Sequence, residues 1–199
     1  MPLNANGTPF TFRPVEPDHP DNVAFVSGAH PAGKFPVLVD GETTVIEATA
    51  IVEYLAVHHP GSAPLIPDDP PEAVTARMLD RVFDNYVMAN MNRVVWAHIA
   101  DGANPDLSEI DGGKAGLQRA YAWLEGWLAH NRLAPHVSLV SCAAAPALFY
   151  ADWVAPIGSD FPRLAALRAE LLALPAVARC VEDARPYRGL FPPGAPDRD

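Results

Sequence analysis

Glu47 has the residue type and position best suited to ligand chemistry, because it follows a β-branched run and opens a helical pattern. Its carboxylate can accept a hydrogen bond from a ligand ammonium group, while the free N–H groups at a helix start can bind a ligand carboxylate. Together the Glu47 carboxylate and the N–H groups predict a site for a ligand group that carries a positive and a negative charge. The alternative is a glutamate that only complements the helix dipole.

A predicted hairpin leads to Glu47. The runs Pro36–Asp40 and Thr43–Ile46 flank Asp-Gly, which is one of the stronger local hairpin signals. Phe35-Pro36 precedes the first run, and the residue before a proline is biased to extended backbone, so Pro36 is predicted to open a strand. After Glu47 the apolar period changes to 3.6, which predicts a helix with one face formed by Ile51, Tyr54 and Leu55.

The remaining elements follow from similar patterns. Thr8–Val15 alternates aromatic and β-branched residues and is predicted as a strand, and residues 18–33 are predicted as a loop. Gly61 and the prolines between 64 and 71 predict a linker. Helical patterns then begin near Pro71 and, after breaks, continue to the end: 71–99, 117–128, 138–153, 164–174 and a short helix around 177–181.

Composition excludes several classes of function. The chain has 199 residues, 49% of them hydrophobic, and a net charge of −10 without a basic block. This charge argues against nucleic acids and anionic membranes as partners, since both require clustered Lys and Arg. No apolar run reaches the ~20 residues of a membrane helix, and the first residues do not resemble a signal peptide. We expect a cytoplasmic protein.

Other reactive residue types have simpler interpretations. His58 and His59 end a helix without an acidic partner at ligand spacing, so we expect no metal site. Cys142 and Cys180 form no CxxC motif, and Cys142 is predicted to be buried. One long helix carries residues that could line an apolar co-substrate pocket, although core or dimer packing is the safer interpretation: Tyr86, Met88, Asn90, Met91 and Trp96.

Two neighbouring stretches carry a family resemblance. The first runs from Pro31 to Asp40 and includes Gly33-Lys34-Phe35-Pro36, and the second comprises Glu47-Ala48 and Ala50-Ile51-Val52-Glu53-Tyr54-Leu55. Together they resemble the glutathione transferase superfamily. The helix from Cys142 to Leu148 and the segments around Val177 and Ala184-Arg185-Pro186-Tyr187 agree with this resemblance. It covers nearly the whole chain from Thr8. The stretch 31–55 is a specific marker of the family, and the other segments support it.

The resemblance implies a thioredoxin-like N-terminal domain at 1–60, a linker at 61–70 and an all-helical domain at 71–199. Glutathione would be a co-substrate, and no other cofactor is implied. The Phe35-Pro36 bond would be cis, so that Phe35 pairs with the cysteinyl unit of glutathione. Glu47 and Ala48 would bind the γ-glutamyl group. Lys34 could reach the glycyl carboxylate, with a solvated surface lysine as the equal alternative.

Three departures from the family pattern bear on activity. Ala48 replaces a hydroxyl residue, which removes one hydrogen bond worth about 1.5–3 kcal/mol to the ligand carboxylate. Ser141 replaces an aspartate of an N-capping box begun by Ser138, and we expect a loss of about 1 kcal/mol. The family's first strand and most of its first helix, which bear the activating Ser, Cys or Tyr, are expected to be missing from this chain, so the catalytic residue is unknown.

Two functions remain open at this stage. The first is a glutathione transferase that joins glutathione thiolate to a small apolar electrophile. The second is a non-catalytic relative that serves as an interaction or weak glutathione-binding module, which the missing start, Ala48 and Ser141 favour. The resemblance also implies a homodimer.

Overall fold

The computed structural model describes residues 1–199 and is mainly helical. The helices are α1 Pro2–Asn6, α2 Pro20–Ala29, α3 Ala48–His58, α4 Pro70–Val82, α5 Ala89–Ala100, α6 Leu107–Leu128, α7 Leu139–Val154, α8 Pro162–Ala173 and α9 Pro175–Ala184. A π-helical segment, Phe83–Met88, joins α4 to α5, and a 3-10 helix, Arg185–Leu190, follows α9. The strands are β1 Val37–Asp40 and β2 Thr43–Ile46.

The predicted hairpin is confirmed. Strands β1 and β2 pair antiparallel, with Val37 opposite Ile46 and Asp40 opposite Thr43. The two-residue turn between them places Gly41 at a φ of 58°, a left-handed conformation that glycine adopts without a steric penalty. The helix expected after Glu47 is α3, which buries Ile51, Val52 and Leu55.

The predicted strand at Thr8–Val15 is wrong. These residues have no regular secondary structure, and Phe12 is 76% exposed. A strand needs a partner for its backbone groups, and the sheet contains only β1 and β2. Pro9 and Pro14 also remove two backbone donors from the segment.

The loop predicted over residues 18–33 is also wrong in its centre, which forms α2. Pro20 at the first helical position and Asp21 in the first turn are helix-start signals. The helix nevertheless lacks an apolar stripe that points inward, since Val26 is its only buried residue. That absence hides it from a search for helical periodicity.

A large core lies among the C-terminal helices. It joins 26 buried residues contributed by helices α4 to α9 and the segments between them, including Leu117, Leu124, Leu148 and Leu164, each at most 1% exposed. The helical patterns predicted after residue 71 are therefore confirmed. Helix α7 runs through the centre of this core and carries an internal proline, Pro146.

A second, smaller cluster lies where the first part of the chain packs on the helices. It joins Ile51, Val52 and Leu55 of α3 to Leu65, Val137, Leu139 and Ala176. The segment 61–70 takes part in this contact, because the Leu139 N–H donates to the Leu65 carbonyl at 2.7 Å. The division of the chain at 61–70 stays a prediction.

The expected defect in the cap of α7 is wrong. The Ser138 hydroxyl accepts from the Ser141 N–H at 3.4 Å, and the Ser138 N–H donates to the Ser141 hydroxyl at 2.7 Å. Both serines are buried. A serine hydroxyl therefore takes the place of the expected carboxylate, since either oxygen can accept this hydrogen bond.

Candidate functional site

The open end of the hairpin brings the two principal predicted residues together. The register pairs Val37 with Ile46, and Pro36 directly precedes β1 while Glu47 directly follows β2, so both residues lie at this end of the hairpin. The Phe35-Pro36 bond is cis, and the Phe35 side chain is 70% exposed. The backbone of Phe35 and the start of α3 therefore border one surface.

Glu47 lies directly before α3 with a φ of 68°, the only non-glycine residue in this conformation. Its carbonyl accepts from the Ile51 N–H at 2.9 Å, and no side chain caps the helix. The N–H groups of Ala48 and Thr49 consequently lie in the first turn, before the first intrahelical donor. An exposed carboxylate thus stands beside backbone donors, which suits a ligand with an ammonium and a carboxylate on one carbon.

Sequence reasoning missed a third residue of this site, His30. It is 6% exposed, and its Nε2 lies 3.1 Å from Oε1 of Glu47. Its Nδ1 accepts from the Ala32 N–H at 3.0 Å. The sequence indicated only that His30 lies in the predicted loop at 18–33, because its partner Glu47 is 17 positions away and only the fold brings the two together.

A charged cluster, here called the α4 cluster, faces the start of α3; it comprises Asp80 and Arg81 of α4 and Asp84 of the π-helical segment that follows. The Arg81 guanidinium contacts Asp80 at 2.6 Å and Asp84 at 2.8 Å, and it also donates to the Thr49 hydroxyl. The Thr49 hydroxyl in turn donates to Asp80, at 3.0 Å to Oδ2. The Thr49 hydroxyl is therefore bonded to Asp80 and Arg81 of α4 and does not replace the hydroxyl that Ala48 lacks.

The charges of this cluster influence one another. Burial, followed by the negative charge of Asp80 and of Glu47, raises the pKa of Asp84. The hydrogen bond to Asp80 raises the pKa of Arg81, and the charge of Glu47 acts in the same direction. The surface around Glu47 therefore favours a cation, although Arg81 offsets part of the negative charge.

Lys34 and Ala48 are both exposed. Lys34 lies in the loop that enters Phe35-Pro36, and Ala48 is the first residue of α3. Their assignment to glutathione binding, like that of Phe35, Pro36 and Glu47, stays a prediction.

An apolar cavity of about 350 Å³ lies among α5, α7 and the C-terminal segment. Met88, Met91 and Val95 line one side, Trp153 another, and Phe191 the third. Met88 is four residues after Asp84, so the helix that faces Glu47 continues directly into the cavity wall. The π-helical segment between α4 and α5 spans this transition, and such segments are often found at functional sites.

Of the five residues considered for an apolar pocket, only Met88 and Met91 line this cavity. Tyr86 is 59% exposed and Trp96 60% exposed, and both lie elsewhere on the helix surface. Asn90 donates to the Tyr86 carbonyl at 2.7 Å. The aromatic residues that do line the cavity come from α7 and the C-terminal segment, which no local pattern linked to α5.

The cavity wall contains one cationic residue, Arg188. Its guanidinium lies 4.9 Å from the centre of the Trp153 ring and contacts Asp199 at 2.6 Å. Eleven of the 14 lining residues are hydrophobic, so the cavity suits an apolar molecule.

The histidine pair at the end of α3 has structural contacts. His59 Nε2 lies 2.6 Å from Asp40, and the hydrogen bond to His59 is the main cause of a lowered pKa at Asp40. The His58 ring stacks on Tyr54 with centroids 4.2 Å apart. No group of three or more His, Cys, Asp or Glu side chains is arranged to hold a metal ion. No helix is long and apolar enough to cross a membrane.

Known proteins are similar to this chain in sequence and in fold. Residues 1–63 match the family model described as glutathione S-transferase, N-terminal domain. The chain is 30% identical over 166 residues to a probable maleylacetoacetate isomerase of Vibrio cholerae serotype O1, covering 79% of this chain and 75% of that one.

Solved structures agree with this match. A bacterial maleyl pyruvate isomerase described as a zeta-class glutathione S-transferase superposes with a TM-score of 0.75 at 21% identity, covering 93% of this chain and 91% of that one. A glutathione transferase family member from Pseudomonas fluorescens Pf-5, solved with bound glutathione, superposes with a TM-score of 0.69 at 26% identity, covering 89% of each chain.

These matches define a chain with a thioredoxin-like N-terminal unit and a helical C-terminal unit. The chain belongs to the glutathione S-transferase family. Both the family and the fold expected from the sequence are thereby confirmed.

Proposed function

We propose that this protein binds glutathione at the open end of the hairpin and joins its thiolate to a small apolar electrophile. The observation that carries the proposal is the hairpin, whose open end places Pro36, directly before β1, and Glu47, directly after β2, at the start of α3. The glutathione bound in the Pseudomonas fluorescens relative supports the choice of ligand.

Each part of glutathione has a complementary group at this site. The Glu47 carboxylate accepts from the γ-glutamyl ammonium, while the N–H groups of Ala48 and Thr49 hold its carboxylate. The backbone of Phe35 pairs with the cysteinyl unit, and Lys34 reaches the glycyl carboxylate. Ala48 supplies no hydroxyl, so we expect an affinity lower by roughly one to two orders of magnitude than a hydroxyl residue would give.

The chemical step forms a bond between the glutathione sulfur and an electrophilic carbon. The thiol proton leaves to solvent or to a group that is not yet assigned, and the electrophile either keeps the electron pair or expels a leaving group. The electrophile binds in the apolar cavity lined in part by Met88 and Met91, where an apolar molecule is shielded from water. The catalytic residue stays unknown.

The Vibrio cholerae relative favours a second candidate, glutathione-dependent isomerisation of an unsaturated acid, because its name is that of a maleylacetoacetate isomerase. An acidic substrate would need a cation in the cavity, and Arg188 is the one lining residue that provides it. Arg188 would have to leave Asp199 to do so. Glutathione binding without turnover is the third outcome, and Ala48 favours it.

A homodimer and a cytoplasmic location belong to the same proposal. Helices α4 and α5 expose apolar side chains, including Val74 at 66%, Trp96 at 60% and Ile99 at 52%. Such residues are typical of a surface covered by a second copy. Light scattering of the purified protein tests the homodimer, and a monomeric mass at micromolar concentration would contradict it.

Calorimetric titration of glutathione into the purified chain tests the site. Glu47→Ala is expected to weaken binding about tenfold to a hundredfold, because it removes a charge-assisted hydrogen bond. Glu42→Ala is the matched control, since Glu42 is an exposed carboxylate in the turn at the other end of the hairpin. An equal effect of both variants, or no binding of millimolar glutathione to the unmodified chain, would overturn the proposed site.

Turnover assays then separate the candidates. Conjugation of an apolar aromatic halide with loss of free thiol supports the transferase. Isomerisation of maleylacetoacetate without net consumption of glutathione supports the isomerase, and we expect Arg188→Leu to abolish that activity while leaving conjugation intact. Binding without either reaction identifies a non-catalytic glutathione-binding module.

A further inference from the structure

His30 links two parts of the proposed glutathione site that are distant in sequence. It follows α2 directly and is one of five buried polar or charged residues. One ring nitrogen contacts the Glu47 carboxylate, and the other accepts from the backbone of Ala32, four positions before Pro36. The same imidazole therefore touches the acid at the start of α3 and the loop that leads into Phe35-Pro36.

The two contacts determine which nitrogen carries the proton. A backbone N–H can only donate, so Nδ1 must present its lone pair to Ala32 at 3.0 Å. In the neutral ring the proton is then on Nε2, where it is donated to Oε1 of Glu47 at 3.1 Å. Both nitrogens are satisfied in the neutral form, as expected for a ring that is 6% exposed.

We infer that His30 is a positioning residue that holds the Glu47 carboxylate for the ammonium group of the γ-glutamyl unit and fixes it relative to the Phe35-Pro36 loop. This inference rests on the proposed function, since it assigns a role within the same site.

A neutral imidazole suits this role better than a cation. It orients the carboxylate through one oxygen and leaves the negative charge in place for the ligand, whereas a lysine or arginine there would neutralise that charge. The Glu47 side chain is 70% exposed although its partner is buried, so one oxygen is anchored while the carboxylate remains open to ligand. Without the anchor, a solvated glutamate side chain would lose rotamer freedom on binding.

Two substitutions separate the contacts of His30. The amide of His30→Gln reaches the position of Nε2 and can still donate to Glu47, but it is too long to keep the bond to Ala32. The amide of His30→Asn reaches only the position of Nδ1, so its oxygen can still accept from Ala32 while the bond to Glu47 is lost. Both variants remove the ring, so each is the control for the other.

The measurement compares glutathione with its desamino analogue, N-glutaryl-cysteinylglycine, which lacks only the ammonium group. For each variant, the dissociation constant of the desamino analogue is divided by that of glutathione. This ratio is independent of small losses of folded protein. We expect a large ratio for the unmodified chain and for His30→Gln. We expect His30→Asn to lower the ratio about tenfold, the effect of one ordinary hydrogen bond.

Glu47→Ala completes the test. In that background the ratio should be near one, and His30→Asn should not change it further. A His30→Asn ratio equal to that of the unmodified chain, together with a low ratio for Glu47→Ala, would overturn the role of His30 while leaving the site intact. No glutathione binding by the unmodified chain would instead overturn the proposed function.

A ligand-free readout checks the contact itself. Long-range ¹H–¹⁵N spectra of the free protein should show that the neutral His30 ring is the tautomer protonated at Nε2. Protonation at Nδ1 would contradict the geometry and the inference with it.

Discussion

Residues 1–60 and residues 71–199 bury their apolar side chains very differently. Only five of the 43 buried residues lie in the first segment, yet it contains seven of the 16 large hydrophobic residues that are exposed. The helical segment encloses the 26-residue core. The first segment is instead held mainly by the contact of α3 with Leu65, Val137 and Leu139.

This difference separates stability from recognition. The proposed glutathione site lies entirely in the weakly buried segment, at Lys34 to Pro36 and at Glu47. The helical segment supplies the α4 cluster, the apolar cavity and the surface on which α3 is fixed. We therefore expect substitutions in the helical core to unfold the chain, whereas substitutions in the first segment should change binding more than global stability.

A matched pair of leucines tests this separation and has the largest expected effect. Leu148→Ala in α7 removes a side chain that is 0% exposed and should cost about 2–5 kcal/mol of the free energy of unfolding. Leu38→Ala in β1 removes the same atoms from a partly buried position and should cost about 1 kcal/mol or less. Urea unfolding followed by circular dichroism measures both.

Glutathione binding is the second readout of this pair. Leu38→Ala is expected to weaken binding more than Leu148→Ala when both are measured well below their unfolding transitions, because β1 carries Pro36 at its end. Equal costs of unfolding would show that the first segment is as tightly packed as the helical core, and the separation would be wrong.

Local signals explain why the hairpin and Glu47 were predicted from the sequence. An Asp-Gly turn between β-branched runs and a change of period after Glu47 are both contained within a few residues. The helices that follow Pro71 were equally visible, since a large core imposes an apolar stripe on each of them. Helix α2 was missed because only Val26 is buried and no stripe exists.

Non-local contacts explain what the sequence could not show. The strand predicted at Thr8–Val15 depended on a partner that this structure does not contain. The contact of His30 with Glu47 spans 17 positions, and no spacing rule connects residues in different elements. The aromatic wall of the cavity combines α5 with α7 and the C-terminal segment for the same reason.

The Ser138–Ser141 cap sharpens the comparison from the side of the helical segment. Ser141→Ala leaves the buried Ser138 N–H without its acceptor and should cost about 1–3 kcal/mol of the free energy of unfolding. Ser62→Ala is the control, because Ser62 is exposed in the segment between the two halves and should change stability by less than about 0.5 kcal/mol. Urea denaturation distinguishes them, and similar values for both would show that water replaces the lost acceptor.

Asp84 provides the smallest effect and lies where the two segments meet. Its pKa is raised, mainly by burial and then by the charge of Asp80, so the folded state binds this proton more tightly than the unfolded chain does. A raised folded-state pKa stabilises the protein below the unfolded value, and that contribution is lost as the pH rises through the folded value. Asp84→Asn removes the titrating carboxyl group, so the variant does not lose this contribution to stability as the pH rises.

The variant should therefore gain in melting temperature relative to the unmodified chain as the pH rises from about 4 to 7. The Asp84 side chain is 41% exposed, so solvent screening keeps the effect below about 1 kcal/mol, or a few degrees at most. Asp111→Asn, an exposed position on α6, should show no such trend. A difference that instead shrinks with rising pH would show that the ion pair with Arg81 outweighs burial in its effect on the pKa of Asp84.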